Sequence, residues 1–152
     1  MITADALHTQ RKLAALICRQ LLAHYVFTVK GNQKSLHAAL AGLNWDRARR
    51  HVTRDSGHGR RETRAHQVTS FPARIQGLFP HARQAARVTR TVTRTVTARS
   101  GRERSSEHKT STETAYIITS LHRREAAPAH LAAYVRGHWG IENKAPRPGD
   151  AA

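Results

Sequence analysis

The sequence predicts an α/β protein in which a short parallel unit comes first and a basic, β-rich segment follows. Three observations predict this class. An amphipathic helical pattern lies between two short apolar segments near the N-terminus, which is the order of a parallel βαβ unit. A long stretch rich in Arg and Thr then has the period of two that is typical of strands. An apolar strand and a helical pattern complete the chain of 152 residues.

The βαβ unit occupies residues 2–29. Its first strand, residues 2–4, is shorter than the five or six residues of a typical strand. Its second strand is Tyr25–Val29, which is β-branched and aromatic and is followed by Gly31. Between the strands, residues 9–24 have helical periodicity, and Thr9 is a suitable N-cap. The apolar face of this predicted helix carries Leu13, Leu16, Ile17, Gln20, Leu21 and His24.

Polar side chains follow both strands of this unit. Asp5 comes after the first strand, and Lys30 comes after the second. Because the carboxyl ends of parallel strands meet at one edge, where α/β proteins collect their chemistry, we expect these two residues to be neighbours. A second helix is predicted over residues 34–43, with leucines at helical spacing.

The middle of the chain loses its helical periodicity. Residues 51–53 and 65–69 flank a turn-rich segment, residues 55–62, which is either a hairpin or a functional loop. Residues 88–97 repeat Val-Thr-Arg-Thr, so a strand there places Val and Arg on one face and Thr on the other. Such a strand either follows a phosphate backbone or is an edge strand kept soluble by arginine. Residues 100–114 are predicted to be an exposed, mobile loop.

The C-terminal part contains the clearest candidate site residue. A short strand is predicted at residues 115–119, and a helix is predicted from Pro128 to Glu142 or Asn143. Glu142 ends a helical stripe that is otherwise apolar or aromatic. Spacing alone leaves two interpretations, a functional carboxylate or a Glu that caps the helix or pairs with a cation. The stripe contains Leu131, Val135, His138 and Trp139.

The charge of the chain indicates a polyanionic partner. Lys plus Arg number 26 against 10 Asp plus Glu, which gives a net charge of +16. Nucleic acid fits this excess best, whereas a membrane surface is disfavoured because the arginines lie in loops and strands rather than on one amphipathic helix. The chain shows no membrane-spanning or signal segment, so we expect a cytoplasmic protein. The histidines lack zinc-site spacing, and Cys18 is expected to be a buried, unpaired thiol.

Four segments in order carry a family resemblance. They are Thr3–Gln10, Lys30–Gln33, Gly57–Arg60 with Glu62–Arg64, and Arg136–Asn143. These segments resemble the successive signatures of the bacterial insertion-sequence DDE transposases of the H-repeat-associated type. The resemblance implies a partial ribonuclease H-like core, made of the βαβ unit and the C-terminal helix, with a basic β-rich insertion. It also implies DNA as substrate and a location at the nucleoid.

The resemblance assigns roles to individual residues. Asp5 and Glu142 match the second and third acids of the DDE triad, which holds two Mg²⁺ ions that activate water and then a 3′-hydroxyl for attack on a phosphodiester. The first acid has no matching residue here. The resemblance further implies DNA contacts by Lys30, Asn32, Gln33, Arg60, His138 and Trp139.

The predicted organisation has four regions. Residues 1–44 form part of the core, residues 45–114 the insertion, residues 115–143 the core strand and helix, and residues 144–152 a disordered tail. We expect a truncated transposase that is inactive alone, with apolar surface left uncovered on residues 9–29. The alternatives are a non-catalytic basic DNA-binding module, and one half of a split element that associates with itself or with an upstream fragment.

Overall fold

The computed structural model describes residues 2–4, 11–31 and 33–144, and it describes side chains for residues 11–31 and 33–136. Within these residues, one sheet has the strand order β1-β2-β6-β5-β4-β3. β1 and β2 are parallel, and the other neighbouring pairs are antiparallel. The predicted mixed α/β class is confirmed. The strands are β1 Ile2–Ala4, β2 Tyr25–Val29, β3 Arg49–Gly57, β4 Arg60–Ser70, β5 Gln84–Ser100 and β6 Glu103–Thr119.

In the part of the chain that the structure describes, three α-helices pack around this sheet. They are α1 Arg11–Ala15, α2 Lys34–Ala41 and α3 Pro128–Lys144, and short 3₁₀ turns occupy Trp45–Arg47 and Ala73–Leu78. The helix predicted over residues 34–43 is confirmed to within two residues. The helix predicted from Pro128 is also confirmed, and its backbone is helical through the position of Glu142.

The first predicted helix is only partly correct. α1 leads directly into a π-helical turn, Leu16–Gln20, in which Leu21 N–H donates to Leu16 O over 3.1 Å. A π turn advances by a larger step than 3.6 residues, so the predicted apolar face breaks up after residue 15. Ile17 is fully buried, whereas Leu21 is 58% exposed. His24 lies beyond the helix, and Thr9 lies outside the described residues.

β2 lies between two layers of helical structure. All five of its residues are buried. Phe27 packs on one side with Tyr25, Phe79 and residues of α1 and α2, while Val26 packs on the other with Leu131 and Val135 of α3. The expectation of uncovered apolar surface is therefore wrong for β2. It holds beside the π turn, where Leu22 is 84% exposed with a φ of +49°.

Two long hairpins form the rest of the sheet. β3 and β4 are joined by His58 and Gly59, both with positive φ, as a type I′ turn requires. β5 and β6 are joined at Gly101, whose φ is +63°. Of the two interpretations of residues 55–62, a hairpin or a functional loop, the structure shows the hairpin. The two faces of β5 are as predicted. Val88 and Val92 are buried on one face, and the threonines lie on the other.

One of the two alternatives for β5 and the loop predicted at residues 100–114 are wrong. β5 is not an edge strand, because it pairs with β4 over residues 84–94 and with β6 over its full length. Residues 103–114 are not a loop but the exposed half of β6. Their polar composition resembles that of a loop, yet continuous pairing with β5 satisfies their backbone groups. β6 crosses residue 114 as one strand, and the predicted region boundaries remain predictions.

Candidate functional site

The carboxyl edge of the parallel strands is the first part of the candidate site. β1 ends at Ala4, one residue before Asp5, and Ala4 lies opposite Phe27 of β2. Lys30 follows β2 and is exposed at this edge. The Lys30 carbonyl accepts a hydrogen bond from Gln33 N–H over 3.1 Å, and the Gln33 carbonyl accepts one from His37 N–H over 2.8 Å in the first turn of α2. β2 extends two residues past the partner of Ala4, so Lys30 lies about 10 Å beyond the end of β1 along the strand direction.

α3 is the second part of the site. Its apolar face, with Leu131 and Val135, packs against the sheet, and the helix contacts β1, β2, β3 and β4. The backbone position of Glu142 is six residues past Arg136, or about 9 Å farther along the helix axis. Asp5 and Asn32, and the side chains of His138, Trp139 and Glu142, lie outside the described residues. α3, whose backbone includes the position of Glu142, thus contacts β1, which ends one residue before Asp5.

Arg60 lies far from Lys30. Arg60 pairs with Arg94 of β5, which pairs with Lys109 of β6. Lys109 is seven residues before Tyr116, the partner of Val29 at the end of β2, so Arg60 lies about 24 Å from Val29 along the strand direction. Of the residues predicted to contact DNA whose side chains are described, Lys30 and Gln33 therefore lie beyond the carboxyl end of β2, and Arg60 lies on the β3–β4 hairpin.

Glu62 is the centre of an arginine cluster on the α3 side of the hairpins. Arg64 Nε donates to Glu62 Oε1 over 2.7 Å, Arg90 Nε donates to the same oxygen over 2.8 Å, and Arg60 donates to Oε2 over 3.0 Å. Glu113 reaches Arg90 from β6 over 3.5 Å. The hydrogen bond from Arg90, reinforced by Arg64 and opposed by burial, lowers the pKa of Glu62 to about 2. Glu62 is therefore ionised at any physiological pH and fixes three guanidiniums.

One atom of this cluster has no partner in the described part of the chain. Arg60 Nε is buried and makes no hydrogen bond there. The Arg60 side chain as a whole is 38% exposed, and one of its terminal nitrogens donates to Glu62. A guanidinium held in this way is a suitable donor for an anion such as a phosphate.

α3 stands directly over this cluster. Arg136 and Glu62 line a cavity of about 220 Å³ together with residues of β3 and β4. A second cavity of about 200 Å³ lies one turn earlier, between α3 and the His51–His66 pair. His66 is 4% exposed, and burial, with help from His51 and Arg64, lowers its pKa to about 4. His66 is thus a neutral side chain beneath the helix that carries Glu142.

The roles of Glu62, Arg64 and Arg90 were not predicted. The sequence carries a usable signal, because residues 60, 62 and 64 alternate along one strand and must share a face. Arg90 belongs to the Val-Thr-Arg repeat, and its register opposite Arg64 is needed to place it near Glu62. Register between strands distant in sequence follows from the tertiary structure.

Comparison with known proteins identifies the family of the chain. No curated protein and no solved structure is significantly similar to the chain. In the part of the chain that the structure describes, no helix is long and apolar enough to cross a membrane, and no group of three His, Cys, Asp or Glu side chains is placed to hold a metal ion. The family model described as "Transposase DDE domain" matches residues 1–145. The chain therefore belongs to the family of proteins that carry the transposase DDE domain.

Proposed function

We propose that the chain acts in DNA transposition as a DDE transposase of the H-repeat-associated type with a ribonuclease H-like core. The observation that carries this proposal is the packing of α3, which bears Glu142, against β1, which ends one residue before Asp5. The match to the transposase DDE domain over residues 1–145 supports it. The net charge of +16 supports DNA as the substrate.

The donor set fits a hard divalent cation. Asp5 and Glu142 would supply carboxylate oxygens, which are the ligands that Mg²⁺ prefers. Bound Mg²⁺ would supply Lewis-acid stabilisation and an activated oxygen nucleophile in phosphodiester cleavage and strand transfer. Asp5 would be positioned by its strand and Glu142 by the sheet-facing side of α3.

The other residues would handle DNA. Lys30 and Gln33, with Asn32 between them, would contact phosphates beside the acids, and His138 and Trp139 would orient the DNA end from α3. Arg60 would contact the backbone from the β3–β4 hairpin, about 24 Å away along the sheet. This separation corresponds to about seven base pairs of B-DNA, so one duplex would reach both places.

Metal binding tests the carboxylate pair directly. We expect the purified chain to bind Mn²⁺, observed by electron paramagnetic resonance, and we expect Asp5→Asn or Glu142→Gln to weaken this binding about tenfold or more. Asp55→Asn is the matched control, because Asp55 is an exposed carboxylate on the β3–β4 hairpin. Equal Mn²⁺ binding by all four proteins would overturn the assignment.

Activity of the isolated chain is a separate question. With two of the three triad acids matched, we expect no strand transfer when the chain is incubated with Mg²⁺ or Mn²⁺ and DNA bearing the element's ends. Reproducible end cleavage that Glu142→Gln abolishes would contradict this expectation. Salt-dependent duplex binding without metal binding would instead favour a non-catalytic DNA-binding module. Restored cleavage on adding an upstream-encoded fragment would support a split element.

A further inference from the structure

The β5–β6 hairpin continues beyond the rest of the sheet as a two-stranded ribbon, residues 95–108. Residue pairing between β4 and β5 ends at Arg94, with one further hydrogen bond from Thr95 N–H to Gly59 O over 2.9 Å, whereas pairing between β5 and β6 continues to Ser100 and Glu103. Every residue of this ribbon is exposed, and its largest apolar side chain, Val96, is 39% exposed. A two-stranded ribbon without a core is only marginally stable in water, so this extension is not explained by packing within the chain.

The two faces of the ribbon differ in charge. Because side chains alternate, one face carries Thr95, Thr97, Arg99, Arg104, Ser106 and His108. A contact of 3.4 Å between Thr95 Oγ1 and His108 Nδ1 agrees with this assignment. The opposite face carries both carboxylates of the ribbon, Glu103 and Glu107. The cationic face thus combines two guanidiniums with hydroxyl groups and has no acidic residue.

The two guanidiniums of the cationic face lie directly across from each other. Arg99 pairs with Arg104 in the register of β5 and β6. Like charges at directly opposed positions destabilise a strand pair. Among the described residues, no carboxylate is within ion-pairing distance of either side chain, in contrast to the arginines around Glu62. A polyanion lying against this face would relieve the repulsion.

We propose that the ribbon enters the major groove of duplex DNA with its cationic face toward the base edges. The major groove is about 12 Å wide and accepts a two-stranded β-ribbon, and six residue pairs extend about 20 Å, enough to follow it. Arg99 and Arg104 present the donor pairs that guanine O6 and N7 accept, and the hydroxyl groups reach adjacent phosphates. The inference rests on the proposed function in taking DNA as the partner.

Duplex binding by the full chain tests the ribbon. Fluorescence anisotropy with a GC-containing duplex at fixed salt compares wild type with Arg99→Gln/Arg104→Gln. Arg123→Gln/Arg124→Gln is the charge-matched control, since both residues are exposed in the turn before α3, at the other end of β6. We expect the ribbon variant to bind about tenfold or more weakly and the control to stay within about threefold of wild type. Unchanged far-ultraviolet circular dichroism would show that both variants fold.

Groove blocking supplies an independent measurement. A duplex whose cytosines carry glucosylated hydroxymethyl groups has a filled major groove, and we expect it to bind wild type about tenfold more weakly. We expect the ribbon variant to lose no further affinity on this duplex, and a minor-groove ligand such as netropsin to have no effect. Equal affinities of the ribbon and control variants would overturn the inference, and so would insensitivity to glucosylation.

The outcomes separate this inference from the function on which it rests. If wild type fails to bind any duplex, the DNA substrate of the proposed function is contradicted together with the ribbon. If wild type binds duplex in a salt-dependent way and loses metal binding on Glu142→Gln, but the ribbon variant binds like wild type, only the ribbon inference is wrong.

Discussion

The two halves of β6 show how differently one strand can be stabilised. Residues 116–119 lie between the two hydrophobic clusters and are buried, whereas residues 103–111 are exposed on both faces. Both halves keep the same hydrogen-bonded register with β5. Backbone pairing therefore extends well past the hydrophobic core. The outer half depends for its stability on polar contacts or on a partner.

The arginines of β5 that lie beside these two halves of β6 differ in the same way. In the part of β5 that pairs with both β4 and β6, Arg90 forms ion pairs with Glu62 and Glu113, and Arg87 donates to Gln67 Oε1 over 2.7 Å. In the ribbon, Arg99 has no carboxylate partner among the described residues. The arginines beside the core thus pair with side chains of the protein itself. The ribbon arginines are available to bind another molecule.

Removal of a core side chain opposite the buried half of β6 should have the largest effect on stability. Phe27 is fully buried, with its ring centroid 4.5 Å from that of Tyr25 and 6.2 Å from that of Phe79. We expect Phe27→Ala to lower the free energy of unfolding by about 3–5 kcal/mol, because the cavity cannot collapse between packed rings. Urea denaturation measures this loss. Val96→Ala in the ribbon is the control and should cost less than about 0.5 kcal/mol. Similar losses for both variants would contradict the contrast between the packed core and the ribbon.

Loss of the Glu62 carboxylate should have an intermediate effect. Glu62→Gln removes the negative charge among three guanidiniums and replaces one acceptor oxygen by an NH2 donor, so we expect a loss of about 1–3 kcal/mol in the free energy of unfolding at pH 7. Glu113→Gln is the matched control. The Glu113 side chain is 74% exposed, against 15% for Glu62, so its loss should cost less than about 1 kcal/mol.

The pH dependence of this effect has a defined sign. The folded-state pKa of Glu62, about 2, lies below its ordinary value of 4.5. Its contribution is therefore fully present above pH 4.5 and is lost as pH falls toward 2. The difference in stability between wild type and Glu62→Gln should shrink across that window in acid titrations. A difference that stays constant from pH 5 to pH 2.5 would show that the carboxylate charge is not what matters.

His66 should produce the smallest effect, in a separate pH window. Its folded-state pKa of about 4 lies below the ordinary value of 6.5, so the unfolded chain takes up the proton first. The stability of wild type should therefore fall by about 1–2 kcal/mol between pH 6.5 and 4. His66→Phe should flatten this part of the curve and leave the window below pH 4 unchanged, as followed by urea denaturation. An unaltered slope in the variant would assign the loss to other groups.

Several elements could be predicted from local sequence. β2, α2 and α3 were predicted nearly to the residue, because each has an unbroken hydrophobic period and a clear boundary such as Gly31 or Pro128. The two faces of β5 followed from the same kind of pattern. The π turn after Ala15 was missed, because Leu16 and Leu21 keep a helical spacing that the backbone does not follow.

The sequence by itself determined the charge, the family signatures and the alternation that puts Glu62 with Arg60 and Arg64, since these depend only on neighbouring residues. The tertiary structure decided that residues 103–114 form a strand, that Arg90 meets Glu62 and that Arg99 opposes Arg104. The physical reason is strand register. Pairing between β4, β5 and β6 is fixed by burial of Val88, Ile117 and their neighbours under α3, and that burial then sets every polar contact farther along the sheet.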